Sequence, residues 1–124
     1  MNRLARLAVF LVLPLTLVHE LCHYVAGVPF ADDAALFVRE GRATTFLEYD
    51  DGVSRWAVAL ACLCPTIVGT VVGVVAVAWW LSVGFAMPAD LSSWMRLAIA
   101  ALSWGVFTTP SAADVRRALG GAST

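Results

Sequence analysis

The chain has 124 residues, 60% of them hydrophobic and 14% charged, with a formal net charge of −1. An average soluble domain is nearer half apolar and a quarter charged, so the composition argues against an ordinary soluble domain. The near-neutral balance leaves no basic stripe for nucleic acid, and three cysteines, an odd number, argue against a disulfide framework.

The first element in chain order is an apolar run. Residues 7–18 are almost unbroken apolar sequence around Pro14, inside a helix expected over about residues 4–26, which is long enough to cross a bilayer. A secretory signal peptide is the alternative, with Arg3 and Arg6 as its basic start. The sequence after the run is a poor cleavage region, however. That sequence contains His19-Glu20-Leu21-Cys22-His23 and holds both histidines of the chain. Residues i and i+4 share a helix face, so His19 and His23 can grip one divalent ion, with Glu20 beside that face to take a proton from a bound water. Cys22 should face away from any metal. A charged side chain in hydrocarbon costs about 2.5–3.5 kcal/mol on insertion scales, so an ionisable triple there points to a use. The bland alternative is a satisfied polar cluster: a histidine bonded to a backbone carbonyl and Glu20 paired with an arginine.

Residues 28–52 are the main polar stretch. Two runs rich in β-branched and aromatic residues flank Gly41 between Asp32-Asp33 and Asp50-Asp51-Gly52. They predict a β-hairpin over about 35–49 at a membrane surface, with a plain ordered loop as the alternative. A second span follows at about 56–81. Pro65 should kink it, and Gly69 and Gly73 form a G-x-x-x-G that admits another helix backbone, either within the bundle or in a homo-oligomer. Trp79 and Trp80 suit an interfacial belt. Cys62 and Cys64, two residues apart, point to different faces and read as buried thiols. After a turn at 86–92, a third span is expected at about 93–107, broken by Thr108-Thr109-Pro110. A short helix, 112–119, then ends at Gly120-Gly121. The expected architecture is therefore a single-domain (residues 1–124) all-α membrane protein. It has three transmembrane helices, a small hairpin between the first two and a short C-terminal helix.

Three spans make the first and third parallel, which puts His19, His23 and Asp114 on one side of the membrane and Asp90 on the other. A zinc enzyme needs three protein ligands and one open position. With both histidines used, the third ligand should be a carboxylate: Asp32, Asp33, Glu40, Glu48, Asp50, Asp51 or Asp114. Asp114 has a second reading, since Ser111-Ala-Ala-Asp114 also looks like a capping box for the short helix.

These residues resemble the site-2 protease-like intramembrane zinc metalloproteases, closest to a minimal zincin-type branch. The likeness rests on the H-E-x-x-H in an apolar helix, the hairpin after it, the proline in the second helix, and Pro110-Ser111-Ala-Ala-Asp114 after the third. It covers nearly the whole chain. The family's usual L-D-G or N-P-D-G is replaced here by Ala113-Asp114-Val115, and Cys64-Pro65-Thr66 stands where the family often carries an asparagine. The resemblance implies that His19, His23 and Asp114 hold Zn²⁺. It also implies that Glu20 is the general base in hydrolysis of membrane or membrane-adjacent polypeptides. A hairpin edge could pair with an extended substrate. Two other classes stay open: a non-proteolytic metal-binding membrane protein, and a scaffold subunit associating through Gly69 and Gly73. Arg39, Arg42, Arg55, Arg116 and Arg117 share the side of the histidines, against Arg3, Arg6 and Arg96 opposite. Positive-inside counting thus favours an integral protein of the cell membrane with its site nearer the cytoplasm.

Overall fold

A computed structural model describes residues 3–39, 41–84 and 87–120, with side chains from residue 13 onward. Glu40, Ala86 and Gly121, which the sequence offered as a ligand, a turn residue and a helix stop, lie outside the described residues. Helix α1 spans Arg3–Gly27 and runs through Pro14 into one turn of 3-10 helix, Val28–Phe30. Strands β1 (Asp33–Arg39) and β2 (Arg42–Glu48) form a two-stranded antiparallel sheet in which Leu36 faces Thr45. Gly41, at φ +78°, supplies the left-handed residue that a tight hairpin turn requires. Helices α2 (Arg55–Ser82), α3 (Leu91–Thr108) and α4 (Ala112–Ala118) complete the chain.

Each later helix starts on a side-chain cap. The Ser54 hydroxyl accepts from the Trp56 amide at 3.3 Å, and the Asp90 carboxylate from the Ser93 amide at 2.9 Å. Hydrogen bonds from Ser92 and Ser93 hold the exposed Asp90 carboxyl down at about 2, so the cap is charged at neutral pH. Asp90 is thereby committed to the start of α3, far from the histidines.

Helix α1 packs on α2, α3 and the sheet; α2 also packs on α3 and α4. The contacts follow the small residues. A methyl group added at Gly27 would lie 2.9 Å from the Tyr49 hydroxyl, and one added at Gly73 would lie 2.6 Å from the Trp104 ring. One at Gly69 would collide with Thr108. The Trp104 indole N–H donates to the Gly69 carbonyl at 2.7 Å. The G-x-x-x-G is therefore filled by α3 of the same chain, and close backbone approach is what the two glycines provide.

The expectation of an all-α protein with three transmembrane helices is corrected. The protein is mostly helical and includes an antiparallel sheet. Among the described residues one helix, Arg55–Ser82, is long and apolar enough to cross a membrane. A span needs about 20 predominantly apolar residues. The apolar stretch of α1 covers only residues 7–18 before His19, Glu20 and His23 interrupt it, and runs of that length more often belong to core or interfacial helices. Helix α3 is 18 residues long and carries Ser92, Ser93 and Arg96 in its first two turns.

Candidate metal centre

Helical spacing puts His19 and His23 one turn apart on the face of α1 that meets α2 and α3. Their rings stack edge to face with centroids 4.9 Å apart. His23 is buried. Each ring is oriented by a carbonyl that its own helix cannot satisfy. Pro65 has no N–H, so the carbonyl four residues earlier, Ala61, lacks its intrahelical donor. His23 Nδ1 lies 2.8 Å from that oxygen. Phe107 is in the last turn of α3, where carbonyls are also orphaned, and His19 Nδ1 lies 2.7 Å from its oxygen. The neighbouring Thr108 carbonyl accepts from the Thr66 hydroxyl at 2.8 Å.

A carbonyl oxygen can only accept, so both Nδ1 atoms carry the proton. In neutral rings both Nε2 atoms then present bare lone pairs, and they face each other at 3.2 Å. Two acceptors at that distance repel unless positive charge lies between them. Two ligands about 2.0–2.1 Å from a tetrahedral metal stand about 3.3 Å apart, which fits the observed spacing. The backbone carbonyls play the orienting part that outer-shell acceptors play around metal-bound histidines.

Asp114 completes the group. Its Oδ2 is 3.7 Å from His23 Nε2. The ligand atoms of His19, His23 and Asp114 all lie within 4.8 Å of one another, so the three could hold a metal ion. Asp114 is also the cap of α4. Its Oδ2 accepts from the Ser111 amide at 2.9 Å and the Ser111 hydroxyl at 2.6 Å, while its own amide donates back to that hydroxyl at 3.1 Å. The two readings of Asp114 coexist, because the capping box is the device that aims its carboxylate at the histidines. The donor set, two imidazole nitrogens and a carboxylate oxygen, suits a borderline divalent ion with one position left open.

Glu20 sits beside the group. Its Oε2 accepts from the Thr45 backbone amide at 2.8 Å, and the Thr45 hydroxyl donates to the Glu20 carbonyl at 2.7 Å. The polar-cluster alternative is thus half present: the histidines do bond carbonyls, but Glu20 binds a strand amide and, among the described residues, no arginine. Because the Thr45 amide points to Glu20, it points away from β1. The hairpin edge expected to receive an extended chain is therefore already engaged at this residue.

A cavity of about 880 Å³ opens onto His19, Glu20, His23, Asp114, Tyr49 and Arg117. The other candidate carboxylates do not join the metal group. Asp32, Asp33, Asp50 and Asp51 are exposed, with Asp33 and Asp50 spent on adjacent amides, and Glu48 is exposed at the cavity rim. Cys62 is buried, and Cys22 approaches Cys64 across the α1–α2 contact. The sequence reading missed Thr45 and the two carbonyls. Ala61 was findable, since a proline always strips the carbonyl four residues before it, whereas Thr45 gives no sequence signal.

No protein-family model, curated protein or solved structure matches the chain.

Proposed function

We propose that this chain is a membrane-anchored zinc peptidase of the site-2 protease-like kind. It would cleave membrane or membrane-adjacent polypeptides from a site nearer the cytoplasmic side of the cell membrane. The observation that carries the reading is the pair of Nε2 atoms 3.2 Å apart, with Asp114 Oδ2 3.7 Å from the nearer one and Glu20 in the same cavity. His19, His23 and Asp114 would supply three protein ligands, the number that catalytic zinc takes. When bound, zinc lowers the pKa of water and polarises a carbonyl. Glu20 then takes the proton from the attacking water and returns it to the leaving amine. The Nδ1–H bonds to Ala61 and Phe107 fix the ring planes and leave each Nε2 for the metal. Thr45 restrains Glu20 on the hairpin side.

Membrane attachment rests on α2. Its exposed residues include Val71, Val72, Val74, Val75 and Val77, and exposed Trp56 and Trp79 stand at its two ends. The twenty-three residue steps from Trp56 to Trp79 rise about 34 Å, close to the distance between the two interfaces of a bilayer.

The second reading is a metal-binding membrane protein without hydrolysis. The hydrogen bond from the Thr45 amide to the Glu20 carboxylate favours it, since a side chain tying α1 to β2 has a structural task. Glu20→Gln separates the two. The full chain in detergent, loaded with zinc, is assayed for metal stoichiometry and for cleavage of a fluorogenic peptide. The expected result is one zinc retained and cleavage reduced by about 100-fold or more, with His23→Ala losing the zinc. Cleavage by Glu20→Gln at the wild-type rate, or no zinc in the wild type, overturns the proposal.

A further inference from the structure

The cavity beside the metal group has a second polar corner that the hydrolytic residues do not use. Arg55 and Arg117 both line it. The Arg55 guanidinium lies over the end of α4, where a methyl group added at Gly120 would be 3.5 Å from its Cζ. Arg117 is close enough for its charge to act on the Tyr49 hydroxyl. That hydroxyl is buried with no hydrogen-bond partner among the described residues. Burial first, and then the neighbouring Cys62, push its pKa up, so at neutral pH it is a donor without an acceptor. Neither arginine has a carboxylate within ion-pair distance among the described residues.

Arg55 is the first residue of α2, but its guanidinium reaches the C-terminal end of α4, where the helix dipole favours a cation. Arg116 and Arg117 both sit in the last turn of α4, where the dipole welcomes them, but of the two only Arg117 lines the cavity. Two planar guanidinium forks on the lining of one cavity offer it the chemistry that receives an anion. Arginine forks match a carboxylate in two parallel hydrogen bonds.

We infer that Arg55 and Arg117 form a carboxylate-binding subsite of the metal cavity, so that the polypeptide taken there presents a carboxylate close to the bond that is cut. This inference rests on the peptidase reading. The carboxylate is the free C-terminus of the substrate or an aspartate or glutamate side chain within it.

Two pairs of fluorogenic peptides test it on the zinc-loaded full chain in neutral detergent. One pair differs only in a free or amidated C-terminus. The other pair, both amidated, differs only in an internal Asp or Asn. The expected result is a KM about 10-fold or more lower for the carboxylate member of one pair, and the responding pair names the source. Arg117→Gln should bring the two members of that pair together, and Arg117→Lys should restore part of the gap. Equal KM within both pairs, or a Gln variant that weakens both members equally, overturns the subsite. If no peptide is cut, the peptidase reading fails alone, and the subsite is read by fluorescence anisotropy of the same labelled peptides. Preference for a carboxylate member, lost in Arg117→Gln, supports it there; absence of preference overturns it. Vesicles of phosphatidylglycerol that hold the wild type but release Arg55→Gln/Arg117→Gln, with no discrimination between peptides, assign the arginines to lipid phosphate and also overturn it.

Discussion

At the scale of single residues, the site is built from hydrogen-bonding capacity that helices leave over. Pro65 removes one amide, the Ala61 carbonyl loses its donor, and His23 fills the vacancy at 2.8 Å. The same bond puts the proton on Nδ1 and exposes Nε2, so a proline on α2 chooses the tautomer of a histidine on α1. Pro65→Ala restores an amide that competes for the Ala61 oxygen. The expected outcome is zinc affinity lower by about 10–100-fold, the usual effect of losing an outer-shell partner, with helical content by circular dichroism retained. Competition with a chromogenic chelator measures it, and unchanged affinity would mean that the ring is oriented by other contacts. The H-E-x-x-H was legible because its geometry is local, one turn of one helix. Its supports were not, because His23 and Ala61 are 38 residues apart and His19 and Phe107 are 88 apart. No local periodicity encodes such pairings. Asp114 could be read from sequence as a cap or as a ligand but not as placed for both, since only the orientation of the short helix shows that the capping oxygen is also the one nearest His23.

At the scale of elements, α3 is held by two glycines of α2 and in turn holds His19. Gly73→Leu drives a side chain into the Trp104 ring and strains the indole bond to Gly69. Overpacking of this kind costs about 1–3 kcal/mol. The expected outcome is a lower melting temperature in detergent together with weaker zinc binding, because the Phe107 carbonyl shifts with α3. A variant that melts normally and binds zinc normally would show α3 to be dispensable to the site. The helices and the hairpin could be approached from sequence because apolar runs, Gly41 and the polar breaks are local signals. The hairpin was expected at 35–49 and is observed from Asp33 to Glu48. What surrounds a helix is not a local signal. A twelve-residue apolar run and an 18-residue helix with an early arginine satisfy a helix pattern equally in a core, at an interface or in lipid. Reading all three long helices as spans gave hydrophobicity more resolving power than it has.

At the scale of the whole molecule, one helix dominates the surface. Only 22% of the apolar window of α2 is buried within the protein, and so large an exposed apolar face on a small chain needs cover. Under the proposed reading that cover is lipid, for which the helix is long and apolar enough. The expected outcome is that the protein stays in the membrane pellet after alkaline carbonate extraction, while replacing Val71 and Val75 with glutamate releases it. A wild-type protein found in the supernatant would argue for a different cover. The metal group joins the two ends of the chain. His19 and His23 come from the first helix and Asp114 from the last, separated by about ninety residues. A helical fragment alone can offer the histidine pair, but the carboxylate arrives only when every intervening element is docked. An ion seated on all three ligands thus acts as a buckle: at a hundred times its dissociation constant it adds about 2.7 kcal/mol to whatever else keeps the chain closed. Chelation would then loosen the hairpin and the last helix together, although neither histidine belongs to them.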